Sequence, residues 1–240
     1  MANTSNFRQA MKQARTQALV GPNVIANALP FVGGGLVLTA VGTFGGLRVL
    51  ETNPGIFFPT FIAAIVLELI LFFVAQGVAA KGNNSTALPL LATYSLLTGY
   101  TLSGLVYNVL NTSLGIKGIG FAALGCGVTF VIARQVGSNL SDEDGMALTR
   151  TVNLGIIALL VVVAGQFIFA LFGGQTPSFL ELAISGVGVF LFAGAAVVDF
   201  YILPRVYRDD QYLSAALSMY LTYINLFIFI LRLLSVLNRD

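Results

Sequence analysis

The run LSAALSMYLTYINLFIFILRLLSVL, Leu213 to Leu237, decides the fold class. It is longer than the roughly 20 residues a helix needs to cross a hydrocarbon core of about 30 Å. Its one charge, Arg232, lies near its end. The polar residues are ordered: Ser218, Thr222, Asn225 and Arg232, with Phe229 in line among them, recur at intervals of four, three, four and three. At about 100° per residue this places them on one stripe roughly 80° wide. Such a segment is a membrane helix with one face turned away from lipid, because hydroxyl and amide groups facing hydrocarbon lose the partners that water had supplied.

The rest of the chain agrees. Of its 240 residues, 57% are hydrophobic and only 9% charged, and the mean hydropathy is +0.88, far from the balance of soluble domains. Six further apolar runs are long enough to span: Ala28–Leu47, Ile56–Val78, Ala87–Leu110, Ile116–Ala133, Val152–Phe172 and Phe179–Leu203. The expected fold is an all-α integral membrane protein of seven transmembrane helices. Residues 23–240 form one domain, preceded by a polar, basic arm over 1–22 with Arg8, Lys12 and Arg15. That arm lacks the apolar stretch and small-residue cleavage site of a secretory signal. Among the connections, only Arg134 to Arg150 is long enough for a structured surface feature.

The distribution of Lys and Arg sets the expected orientation, since cytoplasmic flanks retain positive charge during insertion. With the N-terminus inside, Arg8, Lys12, Arg15, Lys81, Arg134, Arg150, Arg205 and Arg208 are inside, against Arg48, Lys117, Arg232 and Arg239 outside. This puts the N-terminus in the cytoplasm and the C-terminus outside, with a bacterial plasma membrane as the expected location. The formal charge of +2 gives no basic surface for nucleic acid. A single cysteine, Cys126, and no histidine remove an internal disulfide, cysteine-based metal sites and the commonest metal ligand. No cofactor motif is present.

Glycines sit within the spans, as in FVGGGLVLTAVGTFGG and ISGVGVFLFAGAA. Small residues let helix backbones approach closely in lipid, within one chain or between chains, so a compact bundle is expected. Ionisable groups are rare. Glu68 lies mid-span in AAIVLELILFF, and Asp199 lies about one turn from the end of the sixth span in AAVVDFYILP. Arg48 and Glu181 are near enough to span ends to reach water along their own stems.

Asp199 and Thr222 flank the same loop and share one half of the membrane at 1.5 Å per residue. On the sixth span Ser185, Gly188, Ala195 and Asp199 share a face; on the third, Tyr94, Thr98, Thr101 and Asn108 do. Three polar stripes point to the bundle centre. Hydroxyls and amides there need do no more than bond across helices, at about 0.6 kcal/mol each. Carboxyl groups are different, because an acid removed from water favours its neutral form and intramembrane acids mark ion or proton paths. The candidate pathway is Asp199, Glu68, Thr222 and Asn225, with Ser218, Arg232, Thr98 and Thr101 in support. Asp199 and Glu68 together could hold a cation weakly.

The couplet VVDFYIL and AALSMYLTYINLFIFILRLL resembles the C-terminal signature of the Bax inhibitor-1 (TMBIM) family, with its core at Tyr220, Leu221, Ile224, Asn225, Leu226 and Phe227. VLELILFFVA and LLTGYTLSGL are similar to the second and third spans of bacterial members. The resemblance covers roughly residues 30–237 and implies six helices around a central seventh. In some members it also implies a pH-sensitive calcium leak governed by an aspartate pair on the last two helices. Asp199 matches the first aspartate, whereas Thr222 stands at the second. A basic residue that those members carry late in the second helix is missing here. A hydroxyl at this place and a short tail like NRD resemble the YccA-type branch, which is associated with control of the membrane AAA protease FtsH. That branch does not generally keep the second-span glutamate.

Two functional readings follow: a proton-sensitive cation leak with calcium as a transient passenger, and a regulatory protein that binds a membrane protease or a larger membrane complex. An enzyme is not expected, because there is no histidine base and neither a Gly-x-Ser-x-Gly nor a Gly-x-Gly-Asp pattern.

Overall fold

The computed structural model describes residues 19–81 and 83–238. Arg8, Lys12, Arg15 and Arg239, which entered the charge comparison, lie outside the described residues. The chain forms seven long helices: α1 Val24–Thr52, α2 Pro54–Lys81, α3 Asn84–Leu110, α4 Ile116–Gly137, α5 Asp142–Leu171, α6 Ser178–Val206 and α7 Tyr212–Leu237, with a 3₁₀ turn at Asp209–Gln211 before the last. Each expected span falls within one helix to within a residue. Six helical segments are long and apolar enough to cross a membrane; α3 is long enough but less apolar. Buried Tyr94, Ser95, Thr98 and Ser103 lower its hydropathy, and these residues meet other helices instead of lipid.

Several helices outrun their apolar segments. The Ser141 Oγ accepts from the Asp144 N–H at 3.1 Å, and Asp142, Glu143 and Asp144 fill the first turn of α5. A hydroxyl N-cap and acidic residues there suit the orphan N–H groups and the helix dipole. Arg134 to Arg150 is therefore not a separate surface feature. It comprises the end of α4, a short loop and the first turns of α5.

The α7 helix is the hub of the bundle. It packs against α1, α2, α3, α4 and α6, and Leu217, Met219, Tyr220, Leu226 and Leu231 are fully buried. The Tyr220 hydroxyl lies 2.6 Å from Thr39 Oγ1 of α1, and its ring meets that of Tyr94 edge-on at 6.1 Å. The most extensive helix pair is α1 with α3. There Gly35, Thr39, Gly42 and Gly46 of α1 face Ser95, Gly99 and Ser103 of α3, so closely that a methyl on Gly42 would strike the Leu96 carbonyl and one on Gly99 the Thr39 carbonyl. Helix α5 lies at the margin, packed against α6 and burying only Gly145, Val152 and Leu159.

The face holding the α6–α7 loop is closed by polar contacts between distant residues. Asp209 Oδ1 accepts from the Asn23 N–H at 2.8 Å, its Oδ2 accepts from Asn23 Nδ2 at 3.1 Å, and its carbonyl accepts from Asn27 Nδ2 at 3.3 Å. Asn84 Nδ2 donates to the Asp210 carbonyl, while Asn84 Oδ1 accepts from the Leu213 N–H at 3.2 Å. Asp209 thus caps α1 from across the chain. Asp209→Ala is expected to cost about 1 kcal/mol, as for the loss of a helix cap. At this chain length that corresponds to roughly 2–4 °C in the thermal midpoint of the detergent-solubilised protein. Asp209→Asn keeps an acceptor and should lose less; equal midpoints for wild type and Asp209→Ala would refute the cap.

Candidate functional site

Asp199 lies two turns before the end of α6 and is buried. Its helix brings it there by a face of small residues: Ser185, Gly188 and Ala195 are buried with it. A methyl on Gly188 would run into the Phe229 ring of α7. This close approach sets Asp199 against the α7 polar stripe. Ser218 Oγ donates to Asp199 Oδ1 at 3.2 Å, and Thr222 stands beside the same carboxyl. Oδ2 has no hydrogen-bond partner among the described residues. The expected proximity of Asp199 and Thr222 is therefore present, and Ser218 joins them.

Glu68 of α2 is held differently. Thr98 Oγ1 donates to Oε1 at 2.7 Å and Thr101 Oγ1 donates to Oε2 at 2.6 Å. Two hydroxyls three residues apart on α3 fall on one helical face, and their spacing matches the two oxygens of one carboxylate. Each oxygen of Glu68 thus has a fixed donor, whereas Asp199 keeps one oxygen without any.

Both acids line one cavity of about 570 Å³, together with Ser218, Thr222 and Asn225. Its other walls are largely apolar, from Phe72 and Phe73 of α2, Ile156 and Ile157 of α5, and Phe192 of α6. Asn225 donates from Nδ2 to the Leu221 carbonyl of its own helix at 2.7 Å. Thr98 and Thr101 stand behind Glu68 rather than on the cavity wall. Arg232 does not line the cavity; its guanidinium lies 5.8 Å from the centre of the Phe229 ring. Asn108, expected on the inward stripe of α3, is exposed. The third stripe turns outward there, because the face runs past the end of the cavity.

The arrangement can do one kind of chemistry well. Among the described residues no three acidic, histidine or cysteine side chains gather in a cluster. Two carboxylates with neutral hydroxyl and amide oxygens suit a hard cation held loosely and still partly hydrated, not a resident metal with a full protein shell.

Two more residues belong to the surroundings of the site: Tyr94, which the sequence placed on the inward stripe of α3, and Tyr207, which had no clear signal there. Tyr94 lines the cavity and connects it through Tyr220 to Thr39. Tyr207, just past α6, is buried near Asp199; burial first, and then the Asp199 charge, push its phenol up to about 12. At physiological pH it is a neutral group near Asp199, off the cavity wall. A polar residue in the loop after a buried acid is only a weak signal.

Comparison with known proteins adds a consistent picture. A family model described as Inhibitor of apoptosis-promoting Bax1 matches residues 21–239. An uncharacterized membrane protein of Streptococcus pyogenes serotype M6 is 30% identical over 234 residues, covering 91% of this chain and 95% of that protein. An uncharacterized protein of Lactococcus lactis is 30% identical over 75% of each chain. The Bax inhibitor 1 of Schizosaccharomyces pombe is 35% identical over 66 residues, 28% of this chain and 24% of that one.

Proposed function

The chain belongs to the Bax inhibitor-1 family, and from that premise we propose that it is a cation leak of the bacterial plasma membrane. Calcium would pass through the cavity that Asp199 and Glu68 line. The observation that carries the reading is the buried Asp199 carboxyl on the wall of this cavity, whose Oδ2 has no donor of its own among the described residues. An intramembrane acid is costly, and one left half-satisfied on a cavity wall is suited to a transient cation. In this reading the N-terminus and the loops after α2, α4 and α6 face the cytoplasm.

Calcium entry into dye-loaded proteoliposomes tests it. Wild type should exceed empty liposomes severalfold. Glu68→Gln should lower the flux roughly two- to fivefold, about 0.5–1 kcal/mol, a modest loss because both Glu68 oxygens already bond to threonines. Wild-type entry no faster than in empty liposomes would remove the leak.

A second reading is regulatory binding to a membrane-embedded AAA protease, favoured by the neutral hydroxyl of Thr222 beside Asp199. Thr222→Asp separates the two. Adjacent acids cannot both ionise freely, so in a leak this variant should steepen the pH dependence of flux between about pH 5 and 8. A pH profile unchanged from wild type, with the protease recovered from membranes alongside the protein, would favour regulation.

A further inference from the structure

We propose that the same cavity is a binding site for a single-chain amphiphilic amine, entered sideways from the bilayer between α2 and α5. The opening follows from the packing. Helix α2 packs against α1, α3 and α7, helix α5 packs against α6, and α2 and α5 share no more than marginal contact. Yet both line the cavity. Their cavity residues Leu69, Phe73 and Ile157 are 53%, 65% and 59% exposed, so the gap between the two helices opens toward lipid.

The chemistry of the walls selects the ligand. Two carboxylates and the polar groups of Ser218, Thr222 and Asn225 lie on the cavity wall, and no Lys or Arg does. A cationic head is therefore favoured, while a phosphate would meet two acids with no compensating charge. Asp199 is only 5% exposed and its Oδ2 has no partner, so a primary ammonium donating to it would satisfy a buried acceptor. Leu69, Phe73 and Ile157 offer apolar surface to an alkyl chain along the route to the bilayer. The volume of about 570 Å³ falls within the roughly 300–1,000 Å³ range of small-molecule pockets. A dodecylamine-like molecule has both parts: an ammonium for Asp199 and a chain for the portal. The site shares the cavity of the proposed leak but does not require that ions pass.

Equilibrium binding of tritiated dodecylamine to the full-length protein in phosphatidylcholine nanodiscs tests the site, with uptake by empty nanodiscs subtracted. Saturable binding at one site per chain is expected, uncompeted by dodecanol. Asp199→Asn should weaken it about tenfold or more, the range of a charge-assisted hydrogen bond. Ile157→Trp narrows the portal and keeps both acids, and should weaken it as well; Leu69→Trp repeats that test from the opposite wall if the first variant does not fold. Non-saturable uptake, equal competition by dodecanol, or unchanged affinity in Asp199→Asn would overturn the proposal. So would loss of the site in phosphatidylethanolamine nanodiscs, which would make the lipid headgroup the occupant. Binding without calcium flux would keep the amine site and remove the leak, and flux without binding would do the reverse.

Discussion

Asp199→Asn is expected to reduce calcium flux in proteoliposomes about tenfold or more while leaving the protein folded. A cation about 4 Å from a carboxylate gains about 4 kcal/mol at an effective dielectric constant of about 20. Retaining only a third of that gain is worth about a factor of ten. Asparagine removes the charge with almost no change of shape, and its amide oxygen can still accept from Ser218 Oγ, as Oδ1 does now. The buried contacts of α6 with α7 should therefore persist, and the thermal midpoint should stay near wild type. The measurement pairs the flux assay with a melting curve of the same preparation. Flux within twofold of wild type in a folded Asp199→Asn protein would exclude this carboxyl from the pathway.

Gly99→Val is expected to damage the fold more than any change at the cavity. A Cβ on Gly99 meets the backbone of α1 at the Thr39 carbonyl and the Thr43 nitrogen, not a side chain that can swing away. Overpacking at yielding sites costs roughly 1–3 kcal/mol, and with backbone on both sides the upper end is expected. At roughly 2–4 °C per kcal/mol for a chain of this size, the midpoint should fall by roughly 6–12 °C. Gly127→Val is the control, since a methyl there would meet nothing. Equal midpoints for Gly99→Val and Gly127→Val would show that the α1–α3 crossing does not rest on this contact.

The contrast between those glycines shows what sequence can and cannot convey. The spans were legible because a bilayer demands long apolar runs. The α7 stripe was legible because its polar residues keep helical spacing within one segment. Thr222 could be placed near Asp199 from depth alone, since both helices flank one short loop. The pairing of Glu68 with Thr98 and Thr101 was not readable, because which faces of α2 and α3 meet depends on packing between helices. Asp209 and Asn23 are separated by 186 positions, and nothing periodic links them. The first turns of α5 did carry a local sign, Ser141 followed three residues later by Asp144, which apolar runs alone pass over because a helix can continue beyond the membrane. Glycine count was equally mute: Gly42 and Gly99 touch backbone, while Gly33 and Gly34 face open space.

The marginal attachment of α5 gives the bundle an uneven elasticity. Its N-terminal end is pinned, with Arg205 Nε 3.4 Å from Asp142 Oδ1 and the Arg205 guanidinium 4.1 Å from the centre of the Tyr201 ring. Beyond that anchor it is joined by a thin seam whose buried residues recur every seventh position.

 Sliding along a seam of Gly145, Val152 and Leu159 uncovers little apolar surface that lipid does not already touch, so such motion meets little of the resistance that burial gives the other helices. Helix α5 is the soft spring of the assembly. Changes in bilayer thickness or lateral tension will strain it before they reach the helices that share the α7 core, and the width of the gap beside α2 is the dimension that such strain changes first.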